Sequence, residues 1–309
     1  MAQNTIKVRV PGTSANCGPG FDTIGLACTV YNDLELTLLK EEKLSIKING
    51  EGAKNIPTDE RNIVWRSVQH LLDKAGLNDK YHGAVMKMDN NVPLSRGLGS
   101  SATAIVAGLK AANELIGGKF TKRELLKMAT DIEGHPDNVA PAIFGGFTVS
   151  TVTNGEVECF SFLPKFRLKL VVAIPDFPLP TKKARAVLPE NVPMKDAINN
   201  VSRAAMLVAA MCKGNPKFLK NVFEDALHQP YRASLIPGMY DVFAAAKTAG
   251  AIGASLSGAG PCLMAYTLER DHCTDKVAAA MRETFSQHGV TASTMILDLD
   301  TKGAHTITK

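Results

Sequence analysis

Ile6, Val8 and Val10 alternate with polar neighbours before Pro11-Gly12, a period of two that predicts an opening strand ending at the proline. Residues 33–39 and 44–48 read as further strands. At residue 62 the spacing changes: Ile63, Val64, Val68, Leu71 and Leu72 fall at helical intervals, with Gly76 as the stop. Residues 81–88 return to a strand, and a loop covers 89–98. An apolar helix is predicted over 100–116, closed by Gly117-Gly118. Thr121 to Glu124 has the form of a capping box and opens a helix running to about residue 132. A third helix starts near His135-Pro136, because proline suits a first helical turn, and ends at Gly145-Gly146. Residues 148–153 and 156–162 flank Asn154-Gly155, the signal of a two-residue hairpin.

Beyond Pro164 the pattern predicts a buried strand over 168–174, a proline-rich loop over 175–180, and helices over 195–213, 216–227 and 234–249. A strand at 252–257, a glycine-rich turn, a strand at 262–267, a helix at 274–288 and a strand at 294–299 follow. Helices and strands mix without the regular alternation of a doubly wound sheet, which predicts an α+β fold. The texture divides it into two domains, 1–165 and 166–309. A chain of 309 residues is long enough for both.

Composition narrows the function classes. The net charge of +5 is spread without any run of like charge, which argues against nucleic-acid or membrane-surface partners. Six cysteines occur without a C-x-x-C pair and the seven histidines are dispersed, so neither a disulfide framework nor a zinc site is expected. The longest apolar run, 204–212, has nine residues, against the ~20 needed to span a bilayer. The expectation is a soluble, cytoplasmic protein.

Four segments carry candidate chemistry. The first is Pro93-Leu94-Ser95-Arg96-Gly97-Leu98-Gly99-Ser100-Ser101-Ala102-Thr103, running straight into a predicted helix. Glycines let the backbone approach a ligand, and the helix start offers free N–H groups and a positive dipole end, which together favour a phosphate. The hydroxyls of Ser100, Ser101 and Thr103 can reach phosphate oxygens or Mg²⁺. The plain alternative is a glycine turn with a serine cap. No Gly-Lys-Ser/Thr is present, so a Walker loop is excluded. Gly97, Gly99 and Ala102 fit the G-x-G-x-x-A dinucleotide spacing, but a long loop separates them from the preceding strand.

The second segment, from Pro11 to Gly25, reads as a long polar loop presenting Asn16 and Asp22. The third, Glu133-Gly134-His135-Pro136-Asp137-Asn138, crowds four polar side chains at a helix start, more than capping alone explains. The fourth, Ser257-Gly258-Ala259-Gly260-Pro261, taken alone is a hairpin turn.

In this order and at these separations the four segments resemble the galactokinase–homoserine kinase–mevalonate kinase–phosphomevalonate kinase superfamily, and the likeness spans nearly the whole chain. Thr13-Ser14-Ala15-Asn16-Cys17-Gly18-Pro19-Gly20-Phe21-Asp22 and residues 133–142 look most like its bacterial homoserine kinase branch. The resemblance implies an N-terminal domain like the second domain of ribosomal protein S5 and a ferredoxin-like C-terminal domain. It implies ATP-dependent phosphorylation of the L-homoserine side-chain hydroxyl, giving O-phospho-L-homoserine and ADP in threonine biosynthesis. By the same resemblance Gly97 to Thr103 wraps the ATP phosphates, Pro93, Leu94, Ser95 and Arg96 also lie against the ATP, Asn62 lies near the adenine, and Ser101 and Glu133 hold Mg²⁺. Asn16, Asp22 and Asn138 would surround the acceptor hydroxyl, with His135 and Gly258 also against the substrate. Asp137 would take its ammonium, and Thr181, Arg185 and Arg232 its carboxylate. Asn138 stands where the mevalonate and galactose kinases are similar in placing an aspartate base. An amide cannot accept a proton, so catalysis is expected to rest on positioning, Mg²⁺ and the helix dipole, with Asp22 as the one candidate base. The implied partners are ATP and homoserine, with no nucleic acid and no membrane; a homodimer is left open.

Competing readings are a kinase of the same fold acting on a mevalonate-like alcohol or a sugar, a nicotinamide oxidoreductase resting on Gly97, Gly99 and Ala102, and a non-catalytic ligand sensor.

Overall fold

β1 (Thr5–Ala15) and β2 (Ile24–Leu39) are the long central pair of the first sheet. The computed structural model describes residues 4–307. β1 does not stop at the proline as expected. Its register against β2 shifts between Pro11 and Gly12, and a bulge of this kind lets a strand pass a residue without an N–H. The supposed long loop is therefore two strand arms joined by a tight turn over residues 16–23, where Asn16, Cys17 and Asp22 all have positive φ.

β3 (Leu44–Gly50), α1 (Ile63–Ala75), β4 (Gly83–Asn90), α2 (Ser100–Leu115), α3 (Lys122–Glu133) and α4 (Pro136–Phe144) follow close to their predicted places. The capping box at Thr121 and Glu124 forms with both arms. β5 (Phe147–Thr153) and β6 (Glu156–Phe162) make the hairpin, with Asn154 and Gly155 both at positive φ as a type I′ turn requires. The first sheet runs β11 (His305–Thr306), β1, β2, β4, β3, with the β5–β6 hairpin attached to the start of β2. Its core joins Val8, Val10, Leu34, Leu36 and Met86 of the strands to Val68, Leu71, Ile105, Leu109, Leu126 and Val139 of the four helices.

The second sheet, order β10-β7-β9-β8, is antiparallel and is built from β7 (Leu168–Pro175), β8 (Gly253–Leu256), β9 (Leu263–Leu268) and β10 (Ala292–Asp298). Alternation along β7 feeds two cores. Val171 and Ala173 meet α8 (Met239–Thr248) and α9 (Thr274–Gln287), while Leu170 and Val172 meet Leu26, Cys28 and Val30 of β2 and Leu207 and Met211 of α6 (Met194–Lys213). The α+β, two-sheet architecture is thus the expected one, joined by a continuous apolar layer.

Other segments depart from expectation as well. Residues 216–227 hold only a 3-10 turn, Pro216–Leu219; the Asp225 carboxylate then accepts the N–H groups of Leu227, His228 and Gln229, drawing the chain into a turn. The predicted helix 234–249 begins only at Met239, because Pro237 and Gly238 (φ 74°) interrupt it. Ahead of it lie the short α7 (Gln229–Arg232) and a 3-10 turn. Finally, β11 (His305–Thr306) pairs with β1, so the last described strand lies on the first sheet rather than the second. No helix among the described residues is long and apolar enough to cross a membrane.

Candidate active site

A cavity of about 370 Å³ opens between the two sheets, and all four candidate segments line it. One end is formed by the loop into α2. Gly97 (φ 87°) and Gly99 (φ 69°) are left-handed, and each is held against the backbone or side chains of another segment. A Cβ on Gly97 would stand 2.2 Å from the Ser257 carbonyl oxygen, and one on Gly99 would stand 1.9 Å from Thr13 Oγ1. Ser257 Oγ lies 2.7 Å from the Gly97 carbonyl oxygen and 2.8 Å from Ser14 Oγ. The candidate phosphate loop and the turn over 257–261 therefore clamp together, and Ser100 and Ser101 at the start of α2 line the cavity.

Ser101 and Glu133 meet beside this helix start. Ser101 donates its hydroxyl to Glu133 Oε2 at 2.8 Å. Burial pushes the Glu133 carboxyl up, an effect the Ser101 hydrogen bond offsets in part. A carboxylate so placed, next to a hydroxyl and a phosphate-binding helix end, is a donor set that suits a hard divalent cation.

The other end of the cavity holds the groups expected at the acceptor. His135 Nδ1 lies 2.7 Å from Asp137 Oδ1, and Asn138 Nδ2 lies 3.4 Å from the same oxygen. The bond to Asp137 raises the His135 pKa against the opposing effect of burial. Asp137 is 2% exposed, and its place is fixed from behind: a Cβ on Gly25 would stand 1.9 Å from the Asp137 carbonyl oxygen, so only glycine in β2 lets α4 come this close. Thr13 Oγ1 donates to Asn138 Oδ1 at 2.9 Å, which fixes the orientation of that amide.

Asn16 donates to the Gly258 carbonyl at 3.0 Å and accepts the Asp22 N–H at 3.0 Å. Asp22 accepts both arms of Arg185, Nη1 at 3.0 Å and Nη2 at 2.7 Å, from α5 (Thr181–Ala186). With both oxygens so engaged, Asp22 is badly placed to serve as a base. Arg232 is 2% exposed, yet borders the cavity. Its Nε donates to the Ala184 carbonyl at 3.1 Å and its Nη1 to the Gly258 carbonyl at 3.1 Å. Burial first, then the neighbouring Arg185 charge, lowers its pKa to about 10, so it stays protonated at neutral pH. The guanidinium carbons of Arg185 and Arg232 lie 5.5 and 5.4 Å from the Phe21 ring centroid.

Six of the residues assigned to nucleotide binding are not on the wall. Asn62 is fully buried: its side chain caps α1 by accepting from Val64 N–H and donates to the Pro57 carbonyl, so it shapes the wall rather than forming it. Arg96 donates to the Asp176 carbonyl instead. Leu98 and Ala102 belong to the core and Pro93 is buried. The Thr103 hydroxyl bonds the Ser100 carbonyl and accepts from Asn32 Nδ2, so no phosphate can use it. Leu94, expected against the nucleotide, lines an apolar flank of the same cavity whose other members, Ile56, Pro57, Ile63 and Met88, the sequence does not single out as site residues. Residues 55–57 carry no motif, and only the proline beside a helix start marked them. Thr13, inside a quoted segment, was passed over because its partner lies 125 residues away.

Comparison with known proteins identifies the fold and the family. Family models described as the GHMP kinases N terminal domain and the GHMP kinases C terminal match residues 62–146 and 207–295. The chain is 40% identical over 302 residues to a homoserine kinase of Desulfitobacterium hafniense, covering 98% of this chain and 100% of that one. It is 43% identical over 297 residues to one of Carboxydothermus hydrogenoformans, covering 96% and 95%. The crystal structure of homoserine kinase from Cytophaga hutchinsonii superposes with a TM-score of 0.90 at 29% identity, over 99% of this chain and 98% of that one. A mevalonate kinase of L. major in complex with R-mevalonate shares the fold, with a TM-score of 0.69 at 18% identity over 97% and 96% of the two chains.

Proposed function

The chain belongs to the GHMP kinases, and on that premise we propose that it transfers the terminal phosphoryl group of ATP to the side-chain hydroxyl of L-homoserine. The observation that carries this reading is the pairing, in one cavity, of a glycine-loop helix start with a buried carboxylate and two guanidinium groups. The first suits a triphosphate. The second suits a zwitterion: Asp137 meets the ammonium, and Arg185 and Arg232, with Thr181, meet the carboxylate. The flank of Ile56, Pro57, Ile63, Met88 and Leu94 supplies an apolar slot for the adenine.

Ser101 and Glu133 would hold Mg²⁺, whose contribution when bound is to neutralise charge on the phosphate oxygens during transfer. The protein does the rest by position. Asn16 and Asn138, each fixed by a hydrogen bond to a distant segment, hold the acceptor hydroxyl in line with the helix start. The α2 dipole and its N–H groups favour the developing negative charge. No strong general base is required; Asp22 serves to hold Arg185 in place. Residues 1–165 supply the nucleotide end in this reading, and residues 166–309 supply the arginines. The setting is the cytoplasm. A homodimer completes the proposal, with the exposed Met194, Ile198 and Val201 stripe of α6 as its contact; sedimentation as a monomer at micromolar concentration would end that part.

Calorimetry tests the acceptor end directly. L-Homoserine should bind the wild type in the presence of an unreactive ATP analogue, and 4-hydroxybutyrate, which lacks the ammonium, should bind at least tenfold more weakly. Equal affinity would remove Asp137 from the ammonium.

A further inference from the structure

His228 is fully buried behind the cavity wall, and no step above uses it. Its ring joins two segments 210 residues apart: Nε2 lies 2.8 Å from the Gly18 carbonyl oxygen, and Nδ1 lies 3.2 Å from Nη1 of Arg232. A guanidinium can only donate and a carbonyl can only accept, so the two contacts admit a single tautomer, with the proton on Nε2 and an acceptor at Nδ1. Burial keeps the ring neutral by lowering its pKa, against the pull of Asp225. Phe21 stacks on it at 5.2 Å.

The support continues outward. Asp225 accepts the N–H groups that start α7 and also the Asn200 side-chain amide at 2.7 Å. That amide reaches the Pro19 carbonyl at 3.1 Å, and Asn200 Oδ1 accepts the Ala226 N–H at 2.8 Å. The turn over residues 16–23 and the short helix carrying Arg232 are thus tied together twice, through His228 and through Asn200. Around the guanidinium, two backbone carbonyls and the imidazole occupy Nε and Nη1. Among the described residues the imidazole is the one side chain that accepts from the guanidinium, and Nη2 has no hydrogen-bond partner among them.

We propose that His228 is a positioning residue for acceptor specificity. It sets which edge of Arg232 meets the acceptor's carboxylate, and through Gly18 it keeps Asn16 and Asp22 in register with that edge. The enzyme then selects acceptors whose hydroxyl and carboxylate are separated as in a four-carbon hydroxy amino acid. This rests on Arg232 as the carboxylate ligand, as read above.

Steady-state kinetics of His228→Leu, His228→Asn, Arg232→Lys and the His228→Leu/Arg232→Lys pair tests it. His228→Leu should raise the homoserine KM about tenfold, the cost of removing one acceptor from a buried donor, with the ATP KM changed less than twofold. His228→Asn, whose amide oxygen can accept from Arg232, should recover most of that loss. In the Arg232→Lys background the leucine change should add less than twofold, since its effect passes through the guanidinium. An unchanged homoserine KM in His228→Leu overturns the proposal, as does the same fold loss in both backgrounds or a parallel rise in the ATP KM. If Arg232→Lys itself leaves the homoserine KM unchanged, the reading of Arg232 has failed instead. Should the leucine variant not fold, His228→Gln takes its place. Its longer amide reaches Gly18 but leaves no acceptor at the Nδ1 position, so it should raise the KM where His228→Asn does not; equal KM values for the two would overturn the proposal.

Discussion

Replacing Gly99 with alanine strikes the point where three segments meet. Gly99 precedes α2 at φ 69° and ψ 29°. An added Cβ would stand 1.9 Å from Thr13 Oγ1, 3.1 Å from Asn138 Oδ1 and 3.2 Å from Thr13 Cβ. Two costs add. A left-handed backbone costs a residue with a Cβ about 1–2 kcal/mol. The Thr13 hydroxyl must also move aside, which breaks its 2.9 Å bond to Asn138, worth about 1 kcal/mol. The sum, about 2–3 kcal/mol, corresponds to a fall in Tm of roughly 3–5 °C for a chain of 309 residues. Turnover should fall too, because the N–H groups at the helix start shift with the turn. The decisive comparison is a double-mutant cycle read by thermal unfolding. Thr13→Ala removes the atom in the way, so Thr13→Ala/Gly99→Ala should be about 1 kcal/mol more stable than the two single losses predict. Additivity within about 0.3–0.5 kcal/mol would refute the reasoning, since it would mean that Thr13 does not block the added methyl.

Three further outcomes are expected. Burial raises the Glu133 pKa, so at neutral pH its ionised form is a cost to the metal-free fold; Glu133→Gln should melt in EDTA at or above the wild-type temperature while Mg²⁺-dependent turnover drops at least 10²-fold, and a lower melting temperature would contradict this. Asp22→Asn should lower kcat less than tenfold and raise the homoserine KM, because Arg185 loses its bidentate partner; a kcat loss of about 10²-fold or more would restore Asp22 as a base. The His135 pKa is raised in the folded state by its bond to Asp137, so the stability it brings is complete below its unfolded value of 6.5 and is lost as pH rises through the folded value. The gap in melting temperature between wild type and His135→Gln should accordingly be widest near pH ~6 and shrink toward pH ~9; a gap independent of pH would sink that pairing.

Local signals carried much of the fold. Helical spacing located α1, α2 and α6, the capping box placed α3, and Asn154-Gly155 placed its hairpin, because each depends on residues within a few positions of one another. Pro11 misled, because a bulge lets a strand continue past a residue that cannot donate. Residues 216–227 misled as well: their helical spacing lost to the Asp225 carboxylate, which captured the backbone donors that a helix would have used. At the site, Gly97, Gly99, Glu133 and Asp137 were legible because they cluster in sequence beside helix starts. Asn62 and Thr103 were assigned to the nucleotide, yet their polar groups are turned inward to satisfy buried backbone and side chains. Arg185 and Arg232 were assignable only through resemblance; nothing near them in sequence announces the Asp22 pair or the buried His228 behind them.

The most direct test of the account is coupled ADP release with MgATP, comparing L-homoserine, L-serine, L-threonine, mevalonate and galactose as acceptors. The account predicts turnover in the range of ~1–100 s⁻¹ with homoserine and at most background with the others. Equal or faster turnover with mevalonate or galactose would contradict the assignment of Asp137 and the two arginines. ADP release with none of the five would contradict catalysis itself.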